Sequence, residues 1–454
     1  MYPVWEGIWL HSGMYIALIA SFHVLVSHLT VAAAWFNLYL ERRAVKENQP
    51  EFYQYLKKSA LGLLVFAYVF GALSGVGIWF STTAGNPRGI STLIHSFVFY
   101  WASEWYMFWI DVAGIIAYYY TLNKVSNRTH LKLAWILALG STGTLVIIVG
   151  ILAFKLTPGA WLATGQSLDG FFNPTFWPQL MARFFAMFAI TGVWAVAVAA
   201  QMPKSSPYRN EIIRDASAFG LLGLVLSGIT IQYWFLPAVP ESARALLQTP
   251  AVPSITFTLI AICAIVVVAY YLQAIAWPKV QHWALAVGAL AVLFSGVFGL
   301  ERVRELLRKP DIVAGYLSSN QIVIQDMPAR GIKAEEEALN QTGTLDNLPF
   351  LADSGSPMEN GRRLVTQQCS SCHTTSTQTT IKVGQNGLAL RSVARLFQER
   401  NMTSPQQIET YLGALGGFPY MHPVIGTQEE KAAMAIYLAD LVAEFYPSQQ
   451  GAQR

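Results

Sequence analysis

Cys369-Ser-Ser-Cys372-His373 is a spacing with a specific chemical use. Two thiols three residues apart reach the two vinyl groups of one porphyrin, and the adjacent histidine ligates the iron from one face. The run therefore predicts one covalent haem c, with Cys369 and Cys372 as attachment residues and His373 as an axial ligand. A second ligand is expected some tens of residues downstream, where Phe418-Pro-Tyr-Met421-His422-Pro offers two donors, Met421 and His422. The competing reading is a reduced thiol pair in a soluble domain. The downstream donors and the helix-like run from Gln428 argue against it. Haem c is attached on the outer side of an energy-transducing membrane, so this part of the chain is expected there.

A second set of chemistry-bearing residues lies in apolar sequence. Hydrophobic residues make up 54% of the chain and charged ones only 12%, against roughly 25% in soluble domains. Stretches of about 20 apolar residues can each cross a bilayer. They occur near 13–40, 57–81, 93–121, 131–154, 178–201, 215–236, 252–276 and 280–300, which predicts about eight spans. Ionisable residues inside such spans are costly and usually functional. His23 and His28 fall in the first span, five residues and so about 140° apart on a helix, with His11 just before it. The third carries His95, Glu104 and Asp111. Glu104 and Asp111 are almost two turns apart and share a helix face, which suits proton relay or charge balance of a cationic cofactor. Arg183 lies in the fifth span, while His130 and His282 are expected at cytoplasmic interfaces. Each intramembrane histidine is either a cofactor ligand or a hydrogen-bonded bundle residue. Taken together with a haem c they point to b-type haem, one or more.

Orientation follows from the basic residues between spans. The first, third, fifth and seventh loops hold Arg42, Arg43, Lys46, Lys57, Lys58, Lys124, Arg128, Lys132, Lys204, Arg209, Arg214 and Lys279. The second, fourth and sixth hold only Arg88, Lys155 and Arg244. The odd loops are thus expected in the cytoplasm, with the N-terminus outside. Eight spans return the C-terminus outside, where haem c must be. The opening Met-Tyr-Pro-Val-Trp-Glu-Gly has no basic leader and is not expected to be a removable signal peptide. Cys263 is a small residue in an apolar run, and three cysteines build no disulfide framework. A net charge of +4 indicates no nucleic-acid partner. The expected organisation is a membrane domain (1–310), a polar periplasmic connector or tether (311–356) and a haem c domain (357–454).

Residues 357–446 resemble a small class I cytochrome c: an N-terminal helix, C-x-x-C-H, a loop helix, a methionine loop and a C-terminal helix. Pro-Tyr-Met421-His-Pro is similar to that methionine loop, so the resemblance favours Met421 over His422 as the iron ligand. Phe22-His23-Val-Leu-Val-Ser-His-Leu-Thr, Leu-Tyr-Leu-Glu41, Phe70-Gly-Ala-Leu-Ser-Gly-Val-Gly, Glu104, Asp111 and Trp135-Ile-Leu-Ala-Leu-Gly-Ser141 resemble the first part of cytochrome bd oxidase subunit I. That resemblance implies that His23 ligates a b-type haem at the oxygen site, with Glu104 and Asp111 on the proton route and around the haem. Glu305-Leu-Leu-Arg308-Lys309-Pro310 is similar to a degenerate form of that family's Gly-Arg-Gln-Pro-Trp motif; an amphipathic interfacial helix is the other reading of Glu301 to Pro310. Departures are equally visible. Arg183 or Ala186 stands where the family's low-spin haem has its histidine. No methionine partner occurs in spans six or seven, and the quinol-binding loop shrinks to Pro237–Ala251. His11 and His95, both at the outer edge, are alternative ligands for a b haem near the haem c.

The fold expected is all-α, a polytopic transmembrane helix bundle plus a small all-α cytochrome c domain, in a bacterial inner membrane. Two functions fit. One is an oxidase-like respiratory subunit taking electrons through its haem c to a b-type haem and oxygen. The other is a non-oxidase module relaying electrons between the quinone pool, or a periplasmic dehydrogenase, and a soluble or membrane-bound cytochrome c. Other membrane subunits of a respiratory complex are the expected partners in either case.

Overall fold

The computed structural model describes residues 2–6, 11–248, 252, 254–324, 332–375, 392–418 and 420–445. Eight long helices carry most of it: α1 (Ser12–Glu47), α2 (Phe52–Gly85), α3 (Val98–Thr121), α4 (Asn127–Ala153), α5 (Phe176–Ala199), α6 (Pro207–Ala238), α7 (Ser254–Ala276) and α8 (Trp283–Leu307). Seven are long and apolar enough to cross a membrane. The remaining one, α3, has 24 residues, or about 36 Å, but its Tyr and Trp content with Glu104 and Asp111 makes it less apolar. The protein is an all-α polytopic transmembrane bundle. The stretch expected as one span over 93–121 is broken at Phe97, where a separate short helix, Pro87–Ser96, ends. Past residue 300, α8 continues unbroken to Leu307, because Glu301 pairs with Arg183 at 3.1 Å and Arg304 at 2.7 Å.

The chain forms two compact units. One comprises Ile19–Gly77 and Ile94–Leu306. Its core is a seam in which Leu29, Ala33, Phe36 and Leu40 of α1 lie on one face, at the spacing that a 3.6-residue turn superimposes. Leu56 and Leu63 of α2, Val193 of α5 and Ile212 and Ala216 of α6 complete it. Within α2, Leu63–Tyr68 winds as a π-helix, which rotates Tyr68 inward to the core.

The other unit comprises Met1–Leu18, Ile78–Leu93 and Leu307–Arg454. The stretch expected as a polar connector carries structure of its own here. Strands β1 (Asp311–Val313) and β2 (Leu317–Ser318) pair antiparallel and bury Val313, Tyr316 and Leu317. Helix α9 (Ile332–Thr342) presents Glu335 to Arg88, which grips both carboxylate oxygens at 2.7 and 2.8 Å. Beyond it, α10 (Pro357–Cys369), α11 (Val393–Glu399), α12 (Pro405–Ala414) and α13 (Gln428–Phe445) surround one apolar cluster. Ser356 caps α10 and is followed by Pro357 at the first helical position; Ser404 and Gln407 form a capping box on α12. At Gly361, α10 crosses α13 so closely that a Cβ would meet the Ala433 carbonyl.

Burial alone would raise the Glu335 carboxyl, but Arg88 overrides it and holds it at about 2, below its ordinary 4.5. A depressed carboxylate stabilises the folded state above its unfolded value and loses that contribution as the pH falls toward the folded one. Arg88→Gln is therefore expected to cost about 1 kcal/mol at neutral pH, the scale of a partly exposed ion pair. Thermal melts should show the deficit shrinking from pH 5 toward pH 2. A deficit independent of pH would show that the pair does not supply it.

Candidate functional site

Cys369 is the last residue of α10 and packs against the apolar cluster of that unit. The chain then turns tightly, with the Cys372 and His373 amides both donating to the Cys369 carbonyl, at 3.1 and 2.9 Å. The turn buries His373 and places Cys372 Sγ 3.0 Å from Lys309 Nζ. The two thiols are thereby made unlike. Burial pushes Cys369 up to about 12. The same burial acts on Cys372, but the Lys309 ammonium outweighs it and brings that thiol below its usual value. Hydrogen bonds hold the loop from outside: Ser12 Oγ donates to the Ser370 carbonyl at 3.2 Å, and Thr375 donates its amide to Glu6 at 2.9 Å.

Met421 packs against the same apolar cluster as Cys369. Its neighbour His422 is engaged on both ring nitrogens. Nδ1 meets Ser318 Oγ at 3.2 Å and Nε2 meets the Pro310 carbonyl. Burial and Lys309 lower His422 to about 4, against the bond to Pro310, so the ring is neutral at physiological pH. Of the two donors in this loop, only the thioether is left uncommitted by these bonds.

In the bundle, His23 Nδ1 lies 3.1 Å from the Gly71 carbonyl and 3.0 Å from Ser74 Oγ, both on α2. The carbonyl can only accept, so Nδ1 carries the proton and Nε2 keeps its lone pair. A histidine that ligates a metal is commonly oriented in this way, its other nitrogen donating to a backbone carbonyl. Gly75 lies beside the ring, where a Cβ would stand 3.3 Å from His23 Cε1. His28 turns elsewhere, as its angular offset on α1 requires. It is buried, with Nε2 3.3 Å from Arg183 and Nδ1 3.4 Å from Ser27 Oγ. His11 is buried in the other unit, and its Nδ1 accepts from the Met14 amide at 3.1 Å, capping α1. His95 is exposed at the end of the short helix Pro87–Ser96.

The two carboxylates of α3 differ in setting. Asp111 is buried and accepts from Tyr68 at 2.7 Å and from Ser141. Glu104, on the same face, is half-buried. His130, expected at an interface, is instead 3% exposed, held between Glu41 at 2.7 Å and the Tyr118 carbonyl at 2.9 Å. Packing of α1 on α4 brings the Glu41 carboxylate to His130, away from water.

Residues 12–233 match the family described as cytochrome bd terminal oxidase subunit I. That part of the membrane bundle is bd subunit I-like. A chain of the structure titled the bd oxidase from Geobacillus thermodenitrificans aligns with 71% of this protein and 90% of its own length. Its TM-score is 0.55 and its identity 14%, a likeness of fold. No curated protein matches the chain.

Several participants were not singled out by sequence reasoning: Tyr68, Ser74 and Glu301. Ser74 lies inside the Phe70-Gly-Ala-Leu-Ser-Gly run that carries the bd likeness, so its proximity to a histidine could have been suspected. Tyr68 depends on a π-helical offset, which leaves no periodic signal. Glu301 reads as the first polar residue after an apolar stretch until Arg183 is placed opposite.

Proposed function

We propose that this chain is a membrane-bound respiratory electron-transfer haem protein: an oxidase-like subunit that takes electrons through a haem c on Cys369 and Cys372 to a b-type haem on His23 and to oxygen. The observation that carries the reading is the packing of Cys369 and Met421 on one apolar cluster while His422 is engaged by Ser318 and Pro310. This donor set fits a haem c held by two thioethers, His373 and Met421. His23 fits a b-type haem, since Gly71 and Ser74 orient its ring and leave Nε2 available. Such groups supply one-electron transfer, and an iron with an open face supplies oxygen binding.

The remaining work falls to the chain's own residues. Lys309 keeps one thiol of the pair nearer its thiolate, the nucleophilic form. Asp111 accepts from the Tyr68 and Ser141 hydroxyls, through which a proton could be handed to its carboxylate, and Glu104 continues the same face of α3. Tyr68 belongs to the apolar seam and Asp111 beside it is buried, which keeps water from that carboxylate. His11 and His95 remain as further candidate ligands, His11 with one nitrogen already capping α1. The reading places the haem c domain and the N-terminus in the periplasm of a bacterial inner membrane, beside other membrane subunits.

Haem extraction and pyridine spectra of the purified chain test it, with one haem c and at least one haem b expected. Haem c without haem b would sink the oxidase reading. Asp111→Asn should lower oxygen uptake, with reduced cytochrome c as donor, by about a hundredfold, with haem content unchanged. Unaltered uptake would remove Asp111 from the proton route.

One observation favours a second reading. Arg183, Glu301 and His28 satisfy one another inside the bundle, so none is a ready ligand for another haem. A chain with fewer haems suits a non-oxidase relay between the quinone pool, or a periplasmic dehydrogenase, and cytochrome c. Quinol-dependent reduction of cytochrome c without oxygen uptake would decide for it.

A further inference from the structure

We propose that the cavity between α1 and α4, at the basic end of the bundle, binds the headgroup of an anionic phospholipid. The cavity has a volume of about 410 Å³. One wall is a single face of α1: Trp35, Tyr39, Arg42 and Lys46 stand at i, i+4, i+7 and i+11, a stripe about 16 Å long. Trp135 of α4 forms the facing wall. Its ring meets Trp35 edge to face, with centroids 5.6 Å apart. Trp35 is fixed in turn by donating its indole N–H to Thr142 Oγ1 at 2.9 Å. The aromatic end is therefore rigid and apolar, as at a membrane interface.

The other end carries charge that the protein does not neutralise. Arg43 is fully engaged, with Asp215 at 2.7 Å, Glu47 at 3.0 Å and Glu211 beside it. Among the described residues, Arg42 and Lys46 are exposed and have no ion-pair or hydrogen-bond partner. Two uncompensated cations beside rigid indoles match a lipid phosphodiester whose acyl chains run along the Trp face. A neutral quinone would satisfy the rings but neither cation. Basic residues at a membrane surface attract anionic lipids, and removing two should weaken retention about thirtyfold.

Native mass spectrometry of the full-length protein, purified in a neutral detergent, tests this with added phosphatidylglycerol or phosphatidylcholine. Wild type should retain phosphatidylglycerol in preference. The Arg42→Gln, Lys46→Gln double variant should lose that preference, with an unchanged melting temperature in lipid-free detergent because both side chains are exposed. Millimolar inorganic phosphate should neither displace the lipid nor raise the melting temperature. Equal retention of the two lipids by wild type, or undiminished phosphatidylglycerol on the double variant, would overturn the assignment. Displacement by phosphate would reduce the site to a free-anion site, and a quinone retained in place of lipid would make it a neutral aromatic one; either result excludes the phospholipid.

Discussion

His23→Ala is expected to remove the b-type haem proposed for this side chain and to leave the proposed covalent c-type signal intact. The expectation rests on one ring nitrogen. Gly71 and Ser74, both on α2, engage Nδ1 and leave Nε2 as a neutral donor inside the bundle. Alanine offers no ligand, and His28, the other histidine within the bundle stretch of α1, is held by Arg183 and Ser27. His28→Ala is accordingly expected to keep the b-type haem, and this separates loss of a ligand from general damage to α1. Reduced-minus-oxidised spectra read both bands in one sample. A b-type band surviving in His23→Ala, or lost equally in His28→Ala, would remove His23 from the iron. Ser74→Ala should keep the haem but broaden or shift its band, because the ring loses one of its two orienting contacts.

Met421→Ala is expected to abolish the weak near-infrared band that the proposed sulfur-to-iron bond would give the oxidised protein. His422→Ala leaves it in place. The two donors are adjacent in sequence, but their surroundings differ. His422 ties its loop to the hairpin of β1 and β2 through Ser318 and Pro310, so losing it should lower the melting temperature without touching the iron. Met421 packs beside Cys369 on the apolar cluster, and losing it should lower the potential sharply while the haem stays covalently attached. A band that survives Met421→Ala, or disappears in His422→Ala, would reverse the assignment.

Much of this architecture was legible in the sequence because its signals are local. A run of about 20 apolar residues needs no partner to be read as a span, and seven of the eight stretches fall on helices long and apolar enough to cross a membrane, while the third is broken at Phe97. The proposed haem attachment at Cys369, Cys372 and His373 likewise rests on their spacing alone. The angular offset of His23 and His28 follows from helix geometry, and the bundle shows its consequence: one ring faces α2 and the other Arg183. The boundaries read less well. Polar residues at 301–307 look like the end of a span, yet α8 continues through them because Arg183 offers Glu301 a partner from another helix.

The sequence by itself therefore determined the helical class and most of the spans, and it named the residues proposed to ligate haem or carry protons. Only the tertiary structure decided which of them are committed elsewhere. His28, His130 and His422 each have the chemistry of a ligand, but each is engaged by groups far away in the chain: Arg183, Glu41, and Ser318 with Pro310. Tyr68 reaches Asp111 only through a π-helical turn in α2. Hydrogen bonds between distant segments leave no periodicity to read. A buried polar group must nonetheless find such a partner, and the choice is made when the helices pack.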